Sequence, residues 1–114
     1  MVNIYDLCDT TLGTLELPNY YGMPAFEGEE PETYLTYEET NRPHKFADGK
    51  RKSRDYNITV NIISPLVNSE LLERVIAAFE TSGFIYAGGA KIGRDNEYPY
   101  KIQHYQEFII TLEE

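Results

Sequence analysis

The side chains that could do chemistry are few and scattered along the chain. There is one cysteine, Cys8, and there are two histidines, His44 and His104. No C-x-x-C or H-x-x-x-H pair is present, so the spacing predicts no metal site. Cys8 and a histidine could still meet in space as a nucleophilic pair. However, Cys8 falls on the apolar stripe of a predicted helix, where a small buried hydrophobic residue is the favoured interpretation.

Two further motifs could bind charged ligands, but both lack the spacing that such sites need. The stretch GGAKIGRD, from Gly88 to Asp95, does not match the G-x-x-x-x-G-K-[ST] pattern of a phosphate loop, and its glycines favour a β-turn. Four clustered acids could ligate a hard cation, but without regular ligand spacing they favour a solvated loop. These acids are Glu27, Glu29, Glu30 and Glu32. The sequence therefore predicts no catalytic, cofactor-binding or metal site and no enzyme activity.

Charge is distributed unevenly along the 114 residues, whose net charge is -9. Residues 1–41 hold nine acids and no base, and residues 55–114 hold nine acids and four bases. Residues 42–54 hold one acid and six bases: Arg42, Lys45, Lys50, Arg51, Lys52 and Arg54. Because the opposite charges lie in different segments, copies of the chain could attract one another. A head-to-tail contact of this kind repeats into a ring or a filament.

Three interpretations of the basic segment stay open. A solvated loop is the usual role of such a cluster. Nucleic-acid binding is disfavoured, because the rest of the molecule repels phosphate and no aromatic residue interrupts Lys50-Arg51-Lys52. The third interpretation is a subunit interface, in which the six bases meet acids of a neighbouring copy such as Glu27, Glu29 and Glu30.

The chain shows no export or membrane signal. Its N-terminus has neither a basic region nor a long apolar core, so no signal peptide is predicted. The longest apolar run, residues 75–79, is far shorter than a membrane span. A single cysteine also rules out an internal disulfide. These features predict a soluble intracellular protein.

The first third of the chain predicts a short helix and a loop. Residues 3–14 carry apolar side chains at helical spacing, with Asn3 as the N-cap and Gly13 as the end. Residues 18–32 contain three prolines, two glycines and four glutamates, a composition typical of a loop or arm. The apolar residues in this segment suggest that it packs on something, such as a neighbouring subunit.

The remaining residues predict four strands and one longer helix. A strand over residues 33–38 is broken by Asn41-Arg42-Pro43, and a brief strand edge at 45–47 precedes a turn at Asp48-Gly49. A strand over 54–64 follows, with Tyr56, Ile58, Val60 and Ile62 on one face.

A helix capped by Asn68 or Ser69 comes next and stops at Gly83. Residues 84–86 predict another strand, followed by a turn or bend at Gly88-Gly89 and a loop over 93–99. The last strand spans about residues 100–112.

This order predicts a small α+β fold. We expect a single domain over 1–114, in which 1–32 form an N-terminal helix and acidic arm and 33–112 form the core. One main helix would cover one face of an antiparallel or mixed sheet, with the short N-terminal helix added. The predicted order is α-β-β-α-β-β.

Four segments in succession resemble the tail terminator, or tail completion, proteins of long-tailed bacteriophages. They are TYLTYEETNRP, FADGKRKSRDYNITVNIIS, NSELLERVIAAFETSGF and YKIQHYQEFIITL, and together they cover roughly residues 33–112. In that family a strand with a Tyr–Glu pattern leads to an ADG-like turn, a long strand, a helix ending near Gly-Phe, and a closing strand. Val60-Asn61-Ile62-Ile63 departs from the family's Val-Asp-aromatic run, and the Glu-rich segment 18–32 is unusual for it.

The resemblance implies a structural virion protein without enzyme activity or cofactor. It implies a ring, usually of six subunits, that closes the head-proximal end of the tail tube and docks to the head connector. The partners would be other copies of the chain, the tail tube protein and the connector proteins, with assembly in the host cytoplasm. The genome would pass through the ring without specific binding, because an acidic bore repels phosphate.

Two other functions fit the same residues. A neck or head-completion protein of the same particle would have a similar sequence and would bind a different ring. An acidic binding module, such as a DNA mimic that inhibits a nuclease or repressor, fits the net charge but not the basic segment.

Overall fold

The chain folds into two helices and a five-stranded sheet, which confirms the predicted α+β class. The structure, a computed structural model, describes residues 3–22, 24, 26, 28–47, 50–94 and 101–113, and their side chains except those of 42–52 and 94. The elements are α1 (Ile4–Gly13), β1 (Asn19–Tyr21), β2 (Tyr34–Ala47), β3 (Lys50–Ser64), α2 (Ser69–Thr81), β4 (Ile85–Arg94) and β5 (Ile102–Glu113). Apart from the additional strand β1, their order is the predicted one.

Helix α1 begins and ends where the sequence predicted. The side chain of Asn3 accepts hydrogen bonds from the backbone N–H groups of Tyr5 and Asp6 at 2.9 and 3.3 Å, which satisfies donors left free at a helix start. The helix ends at Gly13. Its buried stripe, which includes Cys8 and Leu12, faces the sheet, so the predicted burial of Cys8 is confirmed.

Strand β2 is longer than predicted, because the expected break at Asn41-Arg42-Pro43 does not occur. The strand runs through Pro43, which pairs with Arg54 on β3. Proline lacks the N–H that a central strand needs, but β2 pairs only with β3 beyond Tyr37 in the described residues. The register also shifts between Pro43 and Lys45, as in a β-bulge. The predicted turn at Asp48-Gly49 lies outside the described residues.

Helix α2 follows its predicted signals closely. The side chain of Asn68 accepts a hydrogen bond from the backbone N–H of Leu71 at 3.0 Å, so Asn68 is the N-cap. Gly83 has a φ of +98°, the left-handed conformation that commonly ends a helix. Leu71, Val75 and Phe79 form the buried stripe.

Strand β4 continues through Gly88-Gly89, so of the predicted turn or bend the turn is wrong and the bend is a bulge within the strand. The register shifts between Tyr86 and Gly88, and Gly88 has a φ of +118°, which indicates a bulge inside the strand. Gly89 lies against β5, where a Cβ would come within 2.3 Å of the Tyr105 carbonyl oxygen. The glycines therefore permit a bend and a close approach without ending the strand. Of the predicted loop 93–99, Gly93 and Arg94 belong to β4, and 95–100 lie outside the described residues.

The sheet is mixed, with the order β1-β2-β3-β5-β4. Strands β2, β3, β5 and β4 pair antiparallel, whereas β1 pairs parallel with Leu35–Tyr37 of β2. The sequence predicted a loop over 18–32, and β1 was missed because three residues are too short to show a periodicity. The pairing gives the N-terminal segment a fixed place at one edge of the sheet.

Both helices pack on the same face of the sheet, which we call the helix face. The core joins the stripes of α1 and α2 to the strand residues of this face, including Leu35, Ile58, Val60 and Phe108. Phe79 of α2 stacks on Phe108 with ring centroids 4.4 Å apart. The alternation predicted for residues 56–62 is confirmed, because Ile58, Val60 and Ile62 are almost fully buried. The opposite face, which we call the open face, carries no helix in the described part of the chain.

Tyrosine–carboxylate pairs attach α1 to β2. The Tyr5 hydroxyl donates to Glu39 at 2.7 Å, and the Tyr37 hydroxyl donates to Asp9 at 2.8 Å. The hydrogen bond to Glu39 raises the pKa of Tyr5 to about 12. Burial, followed by the bond to Asp9, raises the pKa of Tyr37. The Tyr–Glu pattern of β2 thus serves the docking of a helix.

Candidate subunit interface

The bases predicted to form an interface lie together on the outer part of the β2–β3 hairpin, which we call the basic hairpin (residues 42–54). Two of them are on β2 and four on β3, and the register places Pro43 opposite Arg54 and Ala47 opposite Lys50. Strand β5 reaches only as far as Ser53, which pairs with Glu113, so among the described residues the rest of the hairpin is paired only between β2 and β3. The bases thus lie at one end of the sheet. Among them, only the side chain of Arg54 is described.

Arg54 is also anchored within its own hairpin. Its guanidinium Nη1 donates to Asn41 Oδ1 on β2. Asn41 in turn donates through Nδ2 to Glu39 at 3.0 Å. The Arg54–Asn41 bond joins β3 to β2 at the base of the basic hairpin, so Arg54 helps to hold the two strands together, and the Asn41–Glu39 bond within β2 orients Asn41.

The acids predicted to form the other side of the interface belong to the acidic segment (residues 27–32). Glu29 and Glu30 are exposed, and Glu27 lies outside the described residues. Glu30 accepts a hydrogen bond from the Tyr34 hydroxyl at 2.6 Å, and burial followed by this bond raises the pKa of Tyr34. The Lys101 ammonium donates to the carbonyl oxygens of Pro31 and Glu32 at 2.7 and 2.6 Å. The segment is therefore attached to the starts of β2 and β5.

Aromatic packing holds the preceding residues in place. Phe26 packs edge-on against Tyr20 and Tyr34, with ring centroids 5.4 and 5.1 Å apart. Tyr20 also contacts Tyr34 at 6.0 Å. Tyr20 and Phe26 of the predicted arm thus pack on their own subunit in the structure of a single chain.

The basic hairpin and the acidic segment lie at opposite ends of the sheet. The acidic segment precedes Tyr34, and β2 then runs through 14 residues to Ala47. At about 3.3 Å per residue, the strand places Arg42, where the basic hairpin begins, roughly 26 Å from Tyr34, and Ala47 roughly 40 Å from it. The longest dimension of the molecule is 56 Å. The two charge clusters therefore cannot neutralise each other within one subunit, and the structure does not bring Glu29 or Glu30 to the hairpin.

The open face is largely polar and includes acids near its centre, although Ile109 and Ile85 are also exposed on it. The register places Glu38, Thr59 and Glu107 in one row across β2, β3 and β5. Side-chain oxygens of Thr36 and Asn57 on this face are buried without a hydrogen-bond partner in the described residues.

A groove of about 290 Å³ crosses this face at the base of the basic hairpin, lined by Thr40, Asn41, Asp55, Tyr56, Asn57 and Ile109. Asp55 accepts a hydrogen bond from the Thr111 hydroxyl at 2.5 Å. Sequence reasoning missed the groove, although the polar alternation at 57, 59 and 61 marked the face that carries it.

Of the residues considered for catalysis, Cys8 is in a setting that does not favour it. Cys8 is fully buried, and burial raises its thiol pKa to about 12, which keeps it protonated. Burial lowers the pKa of His104, which lies on β5 opposite Ile62 and Lys91. The side chain of His44 lies outside the described residues. No cluster of three metal-ligating side chains occurs among the residues that the structure describes.

Comparison with known proteins identifies the fold but no family. No protein-family model and no curated protein matches the chain. A solved structure whose title states no function is similar over 97% of this chain and 93% of its own, with a TM-score of 0.58 and 13% identity. At this identity the likeness concerns the fold alone. In the described residues, neither helix is long and apolar enough to cross a membrane.

Proposed function

We propose that this protein is a structural subunit of a ring that closes the head-proximal end of a phage tail tube and joins it to the head connector. The four segments that resemble tail terminator proteins support this proposal. The observation that carries it is the separation of charge along the molecule. The basic hairpin lies at one end of the sheet and the acidic segment at the other. Each charge cluster can therefore pair with an oppositely charged surface of another molecule.

Charge separation of this kind favours heterologous contacts, in which different surfaces of two copies meet. A heterologous contact closes into a ring when its rotation is a whole fraction of a turn. The basic hairpin of each copy would meet an acidic surface of the next, with Glu29 and Glu30 as the acids that the sequence predicts. Complementary charge chiefly accelerates encounter and selects the orientation.

The open face suits the wall of a channel for DNA. Glu38 and Glu107 flank Thr59 on it, and these acids repel phosphate. A polar, acidic bore would let the genome pass without binding. Six subunits, as in the tail terminators, would then present six such faces to the bore. The proposed role needs no enzyme activity and no cofactor.

The proposal is tested by the mass of the purified protein, alone and mixed with tail tubes, at low and high salt. Light scattering and negative-stain microscopy should show rings, either alone or at tube ends, that weaken as salt rises. A Lys50→Glu/Arg51→Glu/Lys52→Glu variant should lose assembly while keeping the wild-type melting temperature. Glu73→Lys, an exposed change on α2, is the charge-reversal control and should assemble normally. A protein that stays monomeric in every condition, including with tail tubes, contradicts the proposal.

A further inference from the structure

Strand β4 leaves an unprotected edge on the sheet. It pairs with β5 on one side and has no strand on the other among the described residues. Ile85, Tyr86 and Ile92 are 69%, 38% and 52% exposed. Proteins usually protect an edge strand with charges, proline, a bulge or a cover, because it can pair with another chain. Residues 85–90 contain neither a charge nor a proline, and their one protection is the bulge at Gly88, so this edge suits a partner strand.

Strand β2 offers a matching edge on the other side of the sheet. Strand β1 covers β2 only at Leu35–Tyr37, and the last bond of this ladder runs from the Gly22 N–H to the Tyr37 carbonyl. The chain then returns toward the start of β2, since Phe26 packs on Tyr34. From Glu38 to Ala47, no described strand pairs with the outer side of β2. This stretch is regular up to Pro43, and its register shifts beyond that residue.

We propose that β4 of one copy pairs antiparallel with residues 38–42 of β2, before Pro43, in a second copy, so that the sheet continues from subunit to subunit. The inference deepens the proposed ring and rests on it. Charge fixes the orientation, because Glu38 and Glu39 begin the open stretch of β2, and Lys91 and Arg94 end β4. Antiparallel pairing places these opposite charges together and extends the basic half of β2 alongside the uncharged residues 85–90. Parallel pairing would bring Lys45 toward Lys91 and Arg94.

The strand directions within one subunit agree with this orientation. The pairs β2–β3, β3–β5 and β5–β4 are all antiparallel, so β2 and β4 run in opposite directions. If the ring axis lies close to the strand direction, the strands of neighbouring subunits run the same way. The neighbour's β2 then meets β4 antiparallel. In one subunit the register sets Glu39 level with Tyr86, whereas the proposed pairing sets it opposite Arg94. The resulting stagger of about eight residues along β4 is the kind that a closing sheet requires.

The same pairing gives the basic hairpin an acidic neighbour. The tip of the hairpin would extend past Ile85 and reach the end of α2, whose last turn carries the exposed Glu80. The C-terminal end of a helix carries partial negative charge, which favours nearby bases. With this edge pairing, the basic hairpin contacts Glu80 and the end of α2 of the neighbouring copy. It does not contact Glu29 and Glu30.

Cysteine cross-linking tests the proposed register. Thr40 and Gly93 both lie on the open face and would stand opposite each other across the interface. A Cβ at Gly93 meets no atom within 4 Å, so Gly93→Cys fits the fold. Within one subunit, β3 and β5 separate β2 from β4 by about 14 Å, at about 4.8 Å per strand, which is too far for an internal disulfide. Under mild oxidation, Thr40→Cys/Gly93→Cys should give a ladder of covalent oligomers that ends at the ring size.

Thr40→Cys/Ile85→Cys is the matched control, because these residues are level in one subunit and would meet only without the stagger. It should not cross-link.

In a separate experiment, Glu80→Lys should weaken assembly at least tenfold, and Glu29→Lys should have little effect. If a ring forms but Thr40→Cys/Gly93→Cys does not cross-link, the edge pairing is wrong and the proposed ring stands. Links that give open polymers support the pairing but contradict the ring. A monomer in every condition overturns both.

Discussion

Replacing Gly89 with alanine should push β4 away from β5. The added Cβ would lie 2.3 Å from the Tyr105 carbonyl oxygen, 3.2 Å from the Gln106 Cα and 3.3 Å from its Cγ. The first two contacts are with backbone atoms, which cannot move without disturbing the β4–β5 ladder. Overpacking of this kind costs about 1–3 kcal/mol, and a contact this short belongs near the upper limit.

The expected loss of stability is about 2 kcal/mol. Alanine recovers about 0.4–1 kcal/mol by restricting the unfolded chain, which offsets part of the clash. For a chain of this size, a loss of about 2 kcal/mol lowers the melting temperature by roughly 8 °C. Urea unfolding followed by circular dichroism measures the free energy, and a thermal melt gives the temperature.

Gly93→Ala is the matched control on the same strand. A Cβ at Gly93 meets nothing within 4 Å, and its backbone is not in the left-handed region. This variant should be as stable as the wild type or more stable by about 0.5 kcal/mol. If Gly89→Ala unfolds at the same urea concentration as Gly93→Ala, the close approach of β4 to β5 is refuted.

Three further predictions concern the core, a helix cap and pH. Phe79→Ala should destabilise the protein by about 3–5 kcal/mol in urea unfolding, because it removes the ring stacked on Phe108. Asn68→Ala should cost about 1 kcal/mol, and Asn68→Ser should recover most of it, because serine can also cap α2. Stability in urea should fall as pH rises above about 10, where unfolded tyrosines ionise. Tyr34 and Tyr37, whose pKa values are raised in the folded state, stay protonated there, and phenylalanine at both positions should weaken this dependence.

A different result would contradict each of these predictions. Equal stability of Phe79→Ala and the wild type would place Phe79 outside the core. An Asn68→Ser variant no better than Asn68→Ala would mean that the cap is not a hydrogen bond. A stability curve that is flat between pH 9 and about 11.5 would contradict the raised tyrosine pKa values.

Local signals in the sequence predicted the helices well. Asn3 and Asn68 cap α1 and α2, and Gly83 ends the second helix with a positive φ, because each of these signals acts within a few neighbouring residues. The alternation from Tyr56 to Ile62 likewise identified the buried face of β3. The predicted fold class followed from the order of these elements, and the structure confirmed it.

Breaks in the strands were predicted less well, because they depend on partners distant in sequence. Pro43 stays within β2 because the other side of the strand is open at that level, and Gly88-Gly89 stay within β4 because a bulge and β5 accommodate them. The three residues of β1 became a strand only by pairing with β2. None of these partners can be read from the residues concerned.

For the candidate interface, the sequence by itself determined which residues carry charge and in which segments they are gathered. Only the tertiary structure decided where those segments lie: the hairpin puts the bases at one end of the sheet, and Tyr34 and Lys101 hold the acidic segment at the other. The structure also decided that, in the described part of the chain, the outer sides of β4 and of β2 beyond Tyr37 pair with no strand. Charge is a property of each residue alone, whereas position and edge depend on strand pairing between residues far apart in the chain.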